Sequence, residues 1–442
     1  MKQIISICAC LLMMIPGVSS IAEGIWPDDG LPRPPMNVDF YGQISVKGEP
    51  ARVGWILRAF DLSGVQCGEF EIGVEGNYGL LHTYGDDAYT PEDEGASSGE
   101  LVIFKIWDAA GKAHIVRPNG PMTPIWSEDG DVKNVELVTK YGDMSGDGNV
   151  TAFDASIILR AIVGIIEFGP EERENADVSN NGTVTALDAA LILQKTVGLI
   201  QKFPVELEDV QATPADIRSY DLSIPDKTIY PGMKITVPIV TDSTAGLLAA
   251  ELSLAFDSKV LKPVSVYLAS QMTGYILEYK VANDRLNIAI ASPQTHNDSG
   301  AIINVEFEVS DKINRNITSR LVLFRQLLNE GANVVVRDGS FKVLPPKTLM
   351  YPNYPNPFNP ETWIPYQLAE EADVIIRIYD VTGRLVYEKD LGHQGAGFYI
   401  TKGEAMHWDG KDNFGGKVAS GVYFYTLEAG RFRATKKMTL LK

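Results

Sequence analysis

Two acidic, glycine-containing loops, 34 residues apart from Asp143 to Asp177, each run straight into an apolar segment of helical period. This duplication constrains the fold of residues 141–200 more than any bulk property does. A calcium ion takes six to eight oxygen ligands. A 12-residue loop supplies them from positions one, three, five, seven, nine and twelve, around a glycine at six. In the first loop these positions are Asp143, Ser145, Asp147, the carbonyl of Asn149, Thr151 acting through water, and Asp154, with Gly148 at the turn. In the second they are Asp177, Ser179, Asn181, the carbonyl of Thr183, Thr185 and Asp188, with Gly182 at the turn. Nine acids face three bases across 141–200. Without a cation the carboxylates of each loop repel one another, so binding of two calcium ions and folding are expected to be coupled. The first loop offers three side-chain carboxylates and the second two, which predicts that the second site is the weaker. Serine at position three weakens both.

Helices are expected over Ala155–Val163 and Ala189–Val197. Ile157, Ile158, Ala161 and Ile162 make the apolar face of the first, and Leu191 and Ile192 belong to the second. Two loops in tandem, each closed by aspartate and followed by an apolar helix, resemble a dockerin module, a small all-α calcium-binding unit. No helix is expected ahead of either loop, which departs from an ordinary EF-hand. The resemblance implies a cohesin-bearing partner, held by residues near the loop ends. The matching positions are Ala152, Phe153, Ala186 and Leu187. Many dockerins carry hydroxyl residues there, so these apolar pairs point to a hydrophobic contact. Phe153 and Leu187 are equally readable as core.

Residues 1–22 read as a secretory signal. Lys2 supplies the positive start, Ile4 to Ile15 is an apolar run too short to span a bilayer, and small residues end at Ala22. Cys8 and Cys10 fall inside it, leaving Cys67 with no intrachain disulfide partner. A proline-rich stretch over 23–36 reads as a linker. The formal net charge of -18 disfavours nucleic acid and anionic membranes as partners. No later stretch is apolar enough to cross a membrane. The expected place is secreted, extracellular or at the outer cell surface.

The remainder is mainly β. Short strands with glycine turns over 37–140 argue for a β-sandwich domain. After a linker at 201–215, strand patterns fill 216–344. The segments Tyr230 to Pro238, Gly246 to Asp257 and Ile288 to Ala291 resemble a cohesin domain, a jelly-roll β-sandwich that receives dockerins. Related sandwiches bind carbohydrate, so Tyr267, Tyr275 and Tyr279 are candidates for a glycan platform. A third linker covers 345–353. The unit 354–442 opens on Tyr354 to Thr362 and carries Ile378 to Arg384, His407 to Asp412 and Ala419 to Tyr425. It resembles the C-terminal sorting domain of type IX secretion and the related flagellar hook-capping Ig-like domain. That resemblance implies type IX export machinery as a partner. A plain Ig-like β-sandwich without a sorting role is the other reading.

The fold class expected is therefore multi-domain and mainly β: a β-sandwich, the helical calcium module, a cohesin-like sandwich and an Ig-like sandwich. The five histidines, His82, His114, His296, His393 and His407, show no metal-ligand spacing, and no nucleophile-elbow, phosphate-loop or zinc-protease motif is present. Carboxylate counting alone does not exclude a glycosidase pair. The function expected is a non-enzymatic scaffold that assembles polysaccharide-degrading or surface complexes. Its partners would be cohesin- or dockerin-bearing proteins. A carbohydrate-binding surface protein is the alternative, with a glycoside hydrolase accessory chain behind it.

Overall fold

Alternation of apolar and polar residues builds most of the structure, a computed structural model that describes residues 36–86, 91, 93–120, 122–127, 130–207 and 218–441. The expected signal and nearly all of the first linker lie outside the described residues. The chain divides into two compact units. The described part of Met1–Pro214 with Ile290–Gln294 forms one, and Ala215–Ala289 with Thr295–Lys442 the other.

The first unit opens on strand β1, Asn37–Val46, followed by β2 (Glu49–Pro50), β3 (Ile56–Phe60), β4 (Gln66–Glu71), β5 (Asn77–Tyr84), β6 (Ile103–Trp107), β7 (Ala113–Pro118), β8 (Val132–Asn134) and β9 (Leu137–Val138). They form one hydrogen-bonded network in the order β2-β1-β9-β7-β6-β3-β4, with β5 and β8 also on β1. β1 pairs with β5 and β8 through its first half and with β2 and β9 through its second. Its register shifts at Gly42, where a β-carbon would lie 2.3 Å from the Val135 carbonyl. Only glycine lets the two backbones approach that closely. Val38, Phe40, Leu57, Phe104, Ile106 and Leu137 fill the core. Cys67 is buried within it, and burial pushes its thiol up to about 12, which makes it unreactive.

Three α-helices follow: α1 (Ala152–Ile162), α2 (Pro170–Ala176) and α3 (Ala186–Thr196). α1 and α3 start three residues earlier than the sequence pattern suggested. The reason is local. Thr151 and Thr185 cap them, and Asp154 and Asp188 return the hydrogen bond as capping boxes, so the loop-closing aspartates lie inside the first turn. The buried faces repeat at the 34-residue period. Ala155, Ile158 and Leu159 correspond to Ala189, Ile192 and Leu193, and all six are buried. α2 corrects the expectation that no helix precedes either loop, because it leads directly into Asp177. Pro170 at its start and Glu171 and Glu172 in its first turn account for it. Phe203, in the stretch expected to be a linker, is fully buried, and Val205 donates to the Val178 carbonyl at 3.2 Å. The helical module therefore runs on to Glu206.

In the second unit, a five-stranded sheet has the order Leu261–Leu268, Gly300–Val309, Lys234–Thr241, Ser219–Ser223, Asn333–Arg337. A six-stranded sheet has the order Lys227–Ile229, Gly339–Val343, Ile317–Leu328, Ala249–Ala255, Arg285–Ala291, Ile276–Ala282. Lys234–Thr241 shows the strict alternation of a strand with one face in a core. Of the three candidate platform tyrosines, Tyr275 is 6% exposed, while Tyr267 is 45% exposed and Tyr279 half-buried. Tyr275 offers no platform because its ring lies in the core.

The last part of the unit carries a four-stranded sheet of Leu385–Gln394, Ala372–Tyr379, Gly421–Ala429 and Phe432–Leu440, in that order, with smaller sheets of three and two strands. Trp408, Phe358, Tyr425 and Ile376 anchor its core. Met350 packs there too, and Leu349–Met350 pairs with Tyr366–Leu368. Part of the expected linker 345–353 thus belongs to this core. No helix among the described residues is long and apolar enough to cross a membrane.

Candidate functional site

The two loops fold the same way because the same side chains close them. In the first, Asp143 is fully buried. Its Oδ1 accepts from the Gly146 amide at 2.9 Å and its Oδ2 from the Gly148 amide at 2.9 Å. Asp147 turns its Oδ1 back to the Asn149 amide at 2.8 Å. Asp154, also fully buried, accepts from the Met144 and Ser145 amides at 3.0 and 2.8 Å through Oδ1. Its Oδ2 accepts from the Thr151 amide and hydroxyl at 2.8 and 2.9 Å.

The second loop repeats these bonds. Asp177 accepts from the Ser179 hydroxyl, the Asn181 amide and the Gly182 amide at 3.1, 3.1 and 2.8 Å. The Asn181 side chain accepts from the Thr183 amide at 2.8 Å. Asp188, fully buried, accepts from the Ser179 amide at 2.9 Å and the Thr185 amide at 2.8 Å. Gly148 and Gly182, at φ +86° and +88°, and Gly146 and Asn180, at +76° and +60°, hold the left-handed turns these loops need.

The twelve positions expected to serve as ligands lie in two hydrogen-bonded loops, within which the side chains of Asp143, Asp147, Asp154, Asp177, Asn181 and Asp188 accept hydrogen bonds. Among the described residues, no group of three or more His, Cys, Asp or Glu side chains is placed to hold a metal ion. Hydroxyl, amide and main-chain oxygens make up much of the donor set here, outside those four residue types. The fit to a cation rests on burial. Asp143 and Asp154 are fully buried and, among the described residues, accept hydrogen bonds from neutral amides and a hydroxyl, with no salt bridge to either. An ionised buried carboxylate costs several kcal/mol unless a positive charge compensates it. Burial pushes the Asp143 carboxyl above its ordinary value. The Arg117 guanidinium and the amides of Gly146 and Gly148 work against burial, while Asp154 adds to it. Hard oxygen donors in this number suit calcium better than a transition metal.

The expected partner residues separate into two kinds. Ala152 and Phe153 are exposed, Phe153 to 58%, and the side chain of neither lies in the core. Ala186 is 2% exposed and Leu187 half-buried. The repeat is symmetric in sequence and asymmetric in exposure, so at these two positions the first half presents more apolar surface than the second. Val197 and Leu199, both 55% exposed, were not singled out by sequence reasoning. They sit at the end of α3, where a continuous apolar pattern reads as core.

Sequence reasoning also missed what holds the module in place. Glu174 on α2 pairs with Lys47 at 2.8 Å and Lys112 at 2.9 Å, which sit in the turns after β1 and before β7. Glu171 approaches Lys105 at 3.7 Å. Asn175 donates to the Asp143 carbonyl at 3.0 Å, which ties α2 to the first loop.

Comparison with known families matches residues 141–195 to the dockerin type I domain, 220–343 to the cohesin domain and 361–431 to the FlgD Ig-like domain. No curated protein matches the chain. Among solved structures, a non-cellulosomal cohesin from the archaeon Archaeoglobus fulgidus is 19% identical, with 28% of this chain and 91% of that one covered, at a TM-score of 0.26. The sixth cohesin of scaffoldin B from Acetivibrio cellulolyticus, in complex with the Cel5 dockerin, is 16% identical over 28% and 99%, at 0.26. A type I cohesin–dockerin complex from Clostridium thermocellum is 14% identical over 31% and 99%, at 0.27. Type I dockerin domains typically bind calcium. The three matched domains are non-catalytic interaction modules. One polypeptide here carries segments that match the dockerin type I, cohesin and FlgD Ig-like domains, and the first two indicate a cohesin–dockerin protein-interaction module.

Proposed function

We propose that this chain is a secreted, cell-surface scaffold that joins other proteins through calcium-dependent dockerin and cohesin modules and catalyses nothing itself. Two calcium ions would be held, one by Asp143, Ser145, Asp147, Asn149, Thr151 and Asp154, and one by Asp177, Ser179, Asn181, Thr183, Thr185 and Asp188. The observation that carries this reading is the pair of duplicated loops with fully buried carboxylates, in a chain that also holds a cohesin domain. Bound calcium would neutralise the carboxylates and fix the angle at which α1 and α3 leave their loops. The apolar surface around Ala152 and Phe153 would then present itself to a cohesin. Ala186 and Leu187 have less exposed surface to offer.

The cohesin domain would receive a dockerin, from another copy of this chain or from a polysaccharide-degrading enzyme. The C-terminal domain would carry the export and sorting signal, read by a type IX machinery. Purified full chain is to be tested for binding to a panel of purified cohesin and dockerin domains, in calcium and in chelator. Binding of at least one that disappears in chelator is expected. Equal binding in both conditions, or none at all, would remove the scaffold reading.

A further inference from the structure

Arg117, at the end of β7, lies against the first loop. A β-carbon on Gly146 would sit 3.0 Å from its guanidinium carbon and 3.2 Å from Nε and Nη2. The next glycine of the loop, Gly148, would place a β-carbon 3.3 Å from the Pro118 carbonyl. Lys140, which leads into the loop, donates from Nζ to the Gly148 carbonyl at 2.6 Å. The loop therefore rests on the end of β7 through its two glycines, with the Arg117 guanidinium against Gly146 and the Lys140 ammonium on Gly148. Any larger residue at 146 would displace the guanidinium. The equivalent position of the second loop is Asn180, which is exposed, and among the described residues nothing lies within 4 Å of a β-carbon on Gly182.

Among the described residues, Arg117 makes no ion pair. Its Nε is buried with no hydrogen-bond partner. Burial pulls its pKa down, and the negative charges of Asp143 and Glu172 oppose that pull. A guanidinium placed this way costs free energy unless the field of the loop compensates it. The charges set against it are those of Asp143, a carboxylate expected to face the ion, and of Glu172 on α2.

We propose that Arg117 is a standing counter-charge of the first loop, through which the N-terminal sheet sets that loop's affinity for a divalent cation. This rests on the reading of the loops as calcium sites. Without an ion, the guanidinium offsets the repulsion that Asp154 exerts on Asp143, so the loop keeps its shape. With an ion bound, two like charges share the loop and repel. Both effects narrow the gap between the metal-free and metal-bound states. The carboxylate count favours the first loop over the second, and Arg117 works against that count. The sheet also becomes more than a neighbour, because removing its charge changes how strongly the module depends on calcium.

The test is calcium calorimetry on the full chain and on its Arg117→Met and Arg117→Lys variants, with amide exchange over 143–154 measured in chelator. Methionine keeps the apolar bulk of the stem, and lysine keeps the charge. Arg117→Met is expected to tighten one of two sites about tenfold. The other site should stay unchanged, and exchange over 143–154 in the metal-free protein should speed up. Arg117→Lys should stay close to wild type. If Arg117→Met leaves both sites unchanged, or weakens one, Arg117 only packs and the proposal fails. If Arg117→Met does not fold, Arg117→Gln takes its place with the same expectations. If the wild type takes up no calcium, the calcium reading itself fails and the affinity claim with it. That outcome is recognised by the absence of any isotherm before a variant is compared.

Discussion

Asp154 holds four hydrogen bonds, three from backbone amides and one from a hydroxyl, and none of them needs a cation. It therefore has two separable effects. As the returning half of a capping box, its loss should cost about 1 to 2 kcal/mol even in chelator. As a donor to an ion, its loss should cost more when calcium is added. Asp154→Ala is expected to lower the denaturation midpoint in both conditions, with the larger drop in calcium. Equal drops would assign Asp154 to capping alone. In the second unit, the Tyr425 hydroxyl accepts from the Asn353 amide at 2.9 Å and donates to the Tyr351 carbonyl at 3.1 Å. Tyr425→Phe leaves a buried amide without an acceptor, so a loss of about 1 to 3 kcal/mol is expected in urea unfolding. The donor spacing around Asp143 and Asp177 was legible in the sequence, because an oxygen at every second position is a local pattern. Arg117 was not legible. It lies 26 residues before Asp143 in the sequence, and nothing in its neighbours marks it.

Among the elements, α2 is the one that sequence reading left out, and it carries the attachment between the helical module and the N-terminal sheet. Its seven residues are too few to form a stable helix alone, so packing and charge must hold it. Burial raises the Glu174 carboxyl, and the ammonium groups of Lys47 and Lys112 more than offset this, so its pKa ends below the ordinary glutamate value of 4.5. His114 also faces it, with Nδ1 3.7 Å from the carboxylate. A depressed pKa means the contact contributes its full stability above the unfolded value and loses it as the pH falls through the folded one. Amide protection factors over 170–176 should therefore be high at neutral pH and fall below about pH 4.5. Glu174→Gln should remove most of that pH dependence and cost about 1 kcal/mol, since both lysines are partly solvated. A pH profile unchanged by the substitution would contradict the assignment. The Pro-Glu-Glu start of α2 was visible in the sequence, but a seven-residue segment with no apolar stripe gives periodicity nothing to detect. Helices α1 and α3 were found because their apolar faces repeat. Their starts were placed late because the closing aspartates were read as loop rather than as the third helical residue.

For the whole molecule, the mainly β architecture and the order of its modules followed from strand alternation and from motifs local enough to recognise. Module edges did not, because they depend on which distant core a residue reaches. Phe203 completes the helical module and Met350 the C-terminal core, both from stretches whose composition reads as linker. Shortening the chain at residue 200 should therefore leave a helical module less stable than one ending at 207, as read by thermal melting in calcium. Equal melting would show that Phe203 contributes nothing. The central claim is that each loop is an oxygen cage for one calcium ion. Calorimetric titration of the full chain with calcium tests it most directly, beside Asp143→Asn and Asp177→Asn variants. The account predicts two bound ions in the wild type and the loss of a different one in each variant. A chain that binds no calcium, or binds equally well in both variants, would contradict it.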